Sequence, residues 1–196
     1  MSMDTTKVRE YIIVKNEFNH PSLEEVNCYE WTGDLVYVSE VCRMLNELFR
    51  MDRLSTEMSY VVALDHAKNL KGVCRIGHGD TSEVLMSMQS IFSFLLLSGA
   101  NSFYVVHNHI SDMPNASEDD KAVTLKVGLL TNMFGNLTFN GHIIINPNGY
   151  IVDGGEMDGA GKELPYKDLG NGMAEYYVFG EKIKGTLEEA KRIFED

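Results

Sequence analysis

The chain has 196 residues, 44% of them hydrophobic, which suits one ordinary domain with additional segments. Its 29 acidic and 17 basic side chains give a formal charge of −12, which argues against nucleic acid as a partner because an acidic surface repels phosphate. The most apolar run, residues 91–97, is far shorter than the roughly 20 residues of a membrane span. The N-terminus also lacks the apolar run of a signal peptide. We therefore expect a soluble, cytoplasmic protein without membrane contacts.

The three cysteines, Cys28, Cys42 and Cys74, are widely spaced, and no CxxC pair occurs. An odd number without a CxxC pair argues against a disulfide framework and against a thiolate zinc knuckle. We expect these thiols to be reduced and buried.

The first half of the chain predicts strands around one helix. A short strand is expected at residues 11–14, followed by an irregular segment over residues 16–34. Ser39 is expected to cap a helix that ends near Met51, because apolar residues follow it at helical spacing. Two short runs, 57–65, which is rich in Val and Tyr, and 70–76, predict a hairpin.

The second half alternates helices and strands. Thr81 or Ser82 should begin a helix that ends at Gly99 and is apolar on both sides, so we expect it to be well buried. A strand at residues 102–107 precedes a helix from Ser117 to about residue 133. Strands at residues 137–145 and 150–152 follow. This order predicts a mixed α/β (α+β) domain with helices packed on a mixed sheet.

The composition of the sequence changes after residue 152. Residues 153–172 carry six glycines without apolar periodicity, which predicts a linker or an open loop. A strand at residues 174–179 and a helix opened by a capping box of Thr186 and Glu189 should form a small C-terminal extension. We expect an N-terminal strand and helix segment over residues 1–50 packed on the core, a central domain over residues 51–154, and the extension over residues 155–196.

Two histidines at the end of a predicted strand are candidate metal ligands. Side chains two residues apart on a strand point to the same side, with α-carbons roughly 6.6 Å apart, so His107 and His109 can face one ion. Asp120, in the first turn of the next helix, is a candidate third ligand. Three protein ligands leave one tetrahedral position of a zinc ion for water, the pattern of a catalytic site. Glu57, at the start of a neighbouring strand, is the better candidate for the base that such a site needs.

The same residues have a purely structural interpretation. Ser117 and Asp120 have the spacing of a capping box, which starts a helix without any metal. The two interpretations are compatible, since one aspartate can take part in a cap and present a ligand. Ligand type alone also leaves iron or manganese open beside zinc.

The spacing resembles the JAMM (MPN-type) metalloprotease motif of a glutamate, then HxH, seven residues, serine, two residues and aspartate. Here His107-Asn108-His109 is followed by seven residues, Ser117, two residues and Asp120. The stretch is closer still to the RadC family, whose motif reads HNHPSGDPTPSxxD where this chain has HNHISDMPNASEDD. The resemblance extends over roughly residues 51–152. In the family an aspartate usually precedes a later histidine, where this chain has Gly141 before His142.

The resemblance implies a RadC-like JAB/MPN fold, with the layering of a cytidine deaminase, and a zinc site. It implies that His107, His109 and Asp120 bind Zn²⁺, that Glu57 acts as general acid/base, and that Ser117 helps to stabilise an oxyanion. The implied reaction is hydrolysis of an amide, peptide or isopeptide bond in a peptide or protein substrate.

Two other functions stay open. The first is a metal-stabilised interaction module without turnover, because fold does not fix function. The second is a role in DNA repair, which the historical naming of RadC proteins suggests and the charge of this chain opposes. The sequence leaves homo-oligomerisation open.

Overall fold

A computed structural model describes residues 5–79, 86–111, 115–154, 166–170, 172–178, 181–186 and 188–189 of the chain. Ten strands and three α-helices are assigned in these residues. In chain order they are β1 (Thr5–Lys15), β2 (Pro21–Thr32), α1 (Val38–Phe49), β3 (Met58–Leu64), β4 (Leu70–His78), α2 (Met88–Ser98), β5 (Ser102–Asn108), α3 (Glu118–Thr131), β6 (Thr138–Asn146), β7 (Gly149–Asp153), β8 (Tyr166–Gly170), β9 (Met173–Val178) and β10 (Glu181–Thr186). Single 3₁₀ turns follow α1, at Met51–Arg53, and α3, at Asn132–Phe134.

Seven strands form one mixed sheet in the order β2-β1-β4-β3-β5-β6-β7. The pairs β1·β4 and β5·β6 are parallel, and the other neighbouring strands are antiparallel. Helix α1 packs on one face of this sheet, and α2 and α3 pack on the other. The predicted mixed α/β architecture is confirmed, and so are the hairpin of β3 and β4 and the strands β5, β6 and β7.

The N-terminal prediction was partly wrong, because β2 is a strand of twelve residues where an irregular segment was expected. It pairs with β1 along its whole length at the edge of the sheet. Of its side chains only Trp31 is buried, so β2 has no apolar alternation for a sequence pattern to detect. Exposed glutamates along it, such as Glu24 and Glu25, are typical of an edge that must not pair with other chains.

Two predictions about the helices also need correction. Ser39 does not cap α1, because it lies within the first turn, after Tyr37 at the N-cap position, and Tyr37 makes no side-chain cap bond. Helix α2 is not buried all round, since Leu96 and Leu97 are 62% and 47% exposed. The expected start of α2 at Thr81 or Ser82 lies outside the described residues. The described helix begins at Met88 with Ser87 as its cap and ends, as predicted, at Gly99.

A bulge in β6 decides which side of the sheet its later residues face. Phe103 pairs with Phe139, but the next residue, Tyr104, pairs with Gly141, so Asn140 is the extra residue. Side chains alternate along a strand, and one inserted residue reverses the alternation beyond it. His142 therefore faces the same side as Phe139, which packs among residues of α2 and α3.

The C-terminal strands β8, β9 and β10 form a separate antiparallel sheet in the order β10-β9-β8. The predicted strand at residues 174–179 corresponds to β9, but β8 lies within the segment expected to be a linker, and β10 was not predicted. The Thr186 capping box is present, with the Glu189 amide donating to Thr186 Oγ1 at 3.1 Å. The helix expected after Thr186 lies mostly outside the described residues. The division at residues 50 and 154 stays a prediction.

Candidate metal centre

The end of β5 carries both candidate histidine ligands on one side of the sheet. Val105 on β5 packs toward α2 and α3, whereas Val106 packs toward α1. The same alternation places His107 on the side of α2 and α3 and Asn108 on the side of α1. His109 follows the strand, and its amide donates to Ile145 O at 2.8 Å, which extends the pairing with β6. Alternation therefore turns the two imidazoles toward one point.

Helix α3 supplies the third group. Its first turn brings Asp120 against both rings, with Asp120 Oδ1 3.1 Å from His107 Nε2 and Asp120 Oδ2 3.2 Å from His109 Nε2. One ligand atom from each of the three residues lies within 4.8 Å of the others. Zinc–ligand bonds of about 2.0–2.1 Å in a tetrahedral site place ligand atoms about 3.3 Å apart. Each contact is close to that spacing, one to each carboxylate oxygen of Asp120, so the three side chains are compact enough to fit a divalent cation such as zinc.

Ser117 ties Asp120 in place through a capping box. The Asp120 amide donates to Ser117 Oγ at 3.1 Å, and the Ser117 amide donates to Asp120 Oδ2 at 2.7 Å. The Ser117 hydroxyl also donates to Asp120 Oδ2, at 2.6 Å. The structural and ligand interpretations of this motif therefore coexist: the bonds that start the helix also orient the carboxylate.

Glu57 lies directly before β3, which is paired with β5, and its side chain is half-buried. The segment is held by Asn108, whose Oδ1 accepts from the Met58 amide at 2.8 Å and whose Nδ2 donates to Thr56 O at 3.2 Å. The residue between the two histidines thus anchors the chain on both sides of Glu57 from the opposite face of the sheet. The charge of Glu57 is the smallest of the named causes that raise the pKa of His109.

His142 is a part of the site that the sequence did not assign. The structure places it, fully buried, next to His107, with His142 Nε2 2.8 Å from His107 Nδ1. Its Nδ1 lies 2.9 Å from Thr124 Oγ1. Thr124 was not singled out from the sequence at all. Its position four residues after Asp120, on the same helix face, was the only available signal.

Burial and the contacts among these groups determine their protonation. Burial raises the pKa of Asp120, but hydrogen bonds from His107, His109 and Ser117 outweigh that effect and hold it well below its ordinary range. The pKa of His109 is raised, chiefly by its hydrogen bond to Asp120. Burial, together with the nearby charge of His107, lowers the pKa of His142 to about 3. The centre therefore joins an ionised carboxylate to two imidazoles and keeps a neutral imidazole behind them.

A mixed sheet between helical layers, with HxH at a strand end and Ser-x-x-Asp at a helix start, is the arrangement of a JAB/MPN-like fold. The model of the RadC-like JAB domain family matches residues 37–152, more than half of the chain. The chain therefore belongs to the RadC-like JAB domain family.

Two curated relatives are similar to this chain, both called "UPF0758 protein". The protein from Thermotoga maritima is 27% identical over 98 residues, and the one from Clostridium beijerinckii is 27% identical over 101 residues. These stretches cover 50% and 52% of this chain and 44% of each relative. The chain thus matches less than half of the length of either relative.

Within the described residues, no helix is long and apolar enough to cross a membrane.

Proposed function

We propose that this protein is a zinc-dependent hydrolase that cleaves an amide bond, of peptide or isopeptide type, in a peptide or protein substrate. The observation that carries the proposal is the convergence of His107, His109 and Asp120, whose ligand atoms lie within 4.8 Å of one another at the end of β5. These three residues would hold the metal. When bound, a divalent zinc ion supplies Lewis acidity, which makes a water molecule nucleophilic near neutral pH.

The chain's own groups would move the protons. Glu57, whose chain neighbours Thr56 and Met58 are both held by Asn108, would take a proton from the attacking water. As the carbon–nitrogen bond breaks, it would return that proton to the leaving nitrogen, so that a carboxylic acid and an amine are released. Glu57 thus ends the cycle as it began, as a carboxylate.

Ser117 would stabilise the negative charge that develops on the carbonyl oxygen, by donating its hydroxyl hydrogen. In the structure, the Ser117 hydroxyl donates to Asp120 Oδ2 at 2.6 Å. The hydroxyl would have to turn from Asp120 to the substrate, while the backbone half of the capping box still orients the carboxylate.

The first test is the metal content of the purified chain, prepared without an affinity tag rich in histidine. We expect about one zinc per wild-type chain by elemental analysis and a loss of that zinc in His109→Ala. His20→Ala is the matched control, because His20 is an exposed histidine in the turn between β1 and β2 and should leave zinc content unchanged. Equal metal content in wild type and His109→Ala would contradict the assignment of this site.

The second test separates hydrolysis from metal binding. Zinc-loaded wild type and Glu57→Gln would be compared on fluorogenic linear and isopeptide-linked peptides. We expect Glu57→Gln to keep its zinc and to lose about 10²–10⁴-fold in rate, the usual contribution of a general acid/base. A chain that binds zinc but cleaves neither class of peptide would favour the metal-stabilised interaction module.

A further inference from the structure

We propose that His142 and Thr124 are positioning residues of the metal centre. They form a hydrogen-bonded chain that fixes the tautomer of His107, with Nδ1 protonated and Nε2 turned to the ion. The inference rests on the proposed metal site, and it names the residues that prepare one of the ligands before any ion arrives.

The hydrogen of the Thr124 hydroxyl determines the direction of the chain. Thr124 Oγ1 lies 2.9 Å from Asp120 O, a backbone carbonyl that can only accept. The hydroxyl has one hydrogen, and this contact uses it. Thr124 Oγ1 must therefore accept at its other contact, which lies 2.9 Å away at His142 Nδ1. His142 is thus protonated at Nδ1.

The same argument applies to the contact between the His142 ring and His107. A neutral imidazole that carries its hydrogen on Nδ1 has a lone pair on Nε2. His142 Nε2 is 2.8 Å from His107 Nδ1, so His107 must donate there. With Nδ1 of His107 engaged as a donor to His142, its Nε2 is the nitrogen that meets Asp120 Oδ1, at 3.1 Å, and a bound metal ion would replace the proton that Nε2 shares with that carboxylate.

The chain connects the two elements that carry ligands. Thr124 lies one turn after Asp120 on α3, and His107 lies at the end of β5, so His142 on β6 bridges a helix and a strand. All three side chains of this relay are buried. A histidine that only filled space would not need both ring nitrogens directed at groups next to two different ligands.

The bulge in β6 allows His142 to reach both His107 and Thr124. Without Asn140 as an extra residue, strict alternation would turn His142 to the α1 side, away from His107. Gly141, which follows the extra residue, adopts a φ of 134° that side chains other than glycine rarely allow. The backbone conformation at Gly141 therefore goes with the placement of the His142 imidazole on the side of His107.

The direct test reads the tautomers by two-dimensional ¹⁵N–¹H correlation of the imidazole rings, on the full-length protein with and without zinc. We expect His142 to be the Nδ1–H tautomer in both states, although free histidine favours Nε2–H. A His142 in the Nε2–H form would overturn the proposal, because His107 Nδ1 would then have to accept. If wild type takes up no zinc, the proposed function fails, while the metal-free spectrum still decides the direction of the chain.

The second test measures zinc affinity by competition with a chelator. His142→Leu leaves His107 Nδ1 without an acceptor and should weaken binding about 10–100-fold, the usual effect of losing a partner of a metal ligand. His142→Gln offers a carbonyl oxygen near the position of Nε2 and should recover most of that loss. A folded His142→Leu with wild-type affinity would overturn the positioning role.

A milder pair of variants covers the case in which His142→Leu does not fold. Thr124→Val keeps the shape of the side chain but removes its hydroxyl, whereas Thr124→Ser keeps the hydroxyl. We expect Thr124→Val to bind zinc more weakly than wild type and to shift the His142 tautomer toward Nε2–H, with Thr124→Ser close to wild type on both measures. Identical behaviour of the two variants would contradict the relay.

Discussion

The two faces of the central sheet are built from the same strands but differ in what they bury. The α1 face buries mainly apolar residues, such as Leu45, Val62 and Val106, and a few polar ones such as Asn108. The α2 and α3 face is apolar at one end, around Phe94 and Phe103, and polar at the other, where His107, His142, Asp120 and Thr124 meet.

This difference separates stability from chemistry. Burying polar groups costs free energy unless each is hydrogen-bonded, and the site meets that condition through a connected network. Burial of the apolar side chains on the α1 face stabilises the fold without requiring hydrogen bonds. Alternation along β5 lets one strand serve both purposes, since Val106 and His107 are neighbours on opposite faces. Substitutions on the two faces should therefore have separable effects.

The largest expected effect is on the apolar face. Leu45→Ala removes a fully buried side chain of α1 and should lower the free energy of unfolding by about 2–5 kcal/mol, measured by urea denaturation. Zinc affinity of the folded fraction should not change. Leu96→Ala is the matched control, because Leu96 on α2 is 62% exposed and should change stability by less than about 0.5 kcal/mol. A large change of zinc affinity in Leu45→Ala would break the separation of the two faces.

The next prediction concerns the residue that links the faces. Asn108→Leu leaves the Met58 amide and the Thr56 carbonyl without their partner, at a cost of about 1–3 kcal/mol for each group that stays buried. Amide hydrogen exchange should accelerate at Met58 but not at Tyr60, in the middle of β3. Asn108→Asp keeps an acceptor and should retain the protection of Met58. Unchanged exchange at Met58 in Asn108→Leu would show that the segment before β3 is held by other contacts.

A smaller effect is expected at the β6 bulge. A Cβ added to Gly141 would lie 2.7 Å from both Gly154 O and Val152 Cγ1. Gly141→Ala should therefore cost about 1–3 kcal/mol through the strained backbone, and it should also weaken zinc binding by displacing His142. Gly128→Ala is a matched control in α3, where an added Cβ meets no atom within 4 Å and alanine should gain about 0.5–1 kcal/mol. If Gly141→Ala is destabilised but keeps wild-type zinc affinity, the bulge does not influence the site.

The sequence predicted those parts of the molecule whose pattern is local. Residues 57–65 and 102–107 are short apolar runs that correspond to β3 and β5, and both are buried along nearly their whole length. The spacing from His107 to Asp120 predicted that ligand groups from a strand and a helix would meet, and the structure brings them together. The catalytic roles of Glu57 and Ser117 stay predictions.

The sequence could not predict features that depend on distant partners. Strand β2 is specified by its pairing with β1 and carries only one buried side chain, so its own residues give no strand pattern. The position of His142 depends on the register of β6 against β5, which one extra residue reverses. Gly141, which appeared only as a departure from the family pattern, is explained by the close approach of the Gly154 backbone.

The smallest expected effect concerns how well the apolar parts of the two faces exclude solvent. Cys42 packs on the α1 face and Cys74 on the α2 and α3 face, and burial raises the pKa of each thiol to about 12. At pH 8 both should stay protonated and react slowly with iodoacetamide. The prediction that all three cysteines are buried was wrong for Cys28, which is exposed and should react quickly, as peptide mass spectrometry of the folded protein would show. Equal protection of Cys42 and Cys74 would mean that the polar site does not loosen the core beside it. Faster labelling of Cys74 would mean that the face holding the candidate metal centre opens more often, and that burying its polar groups lowers local stability.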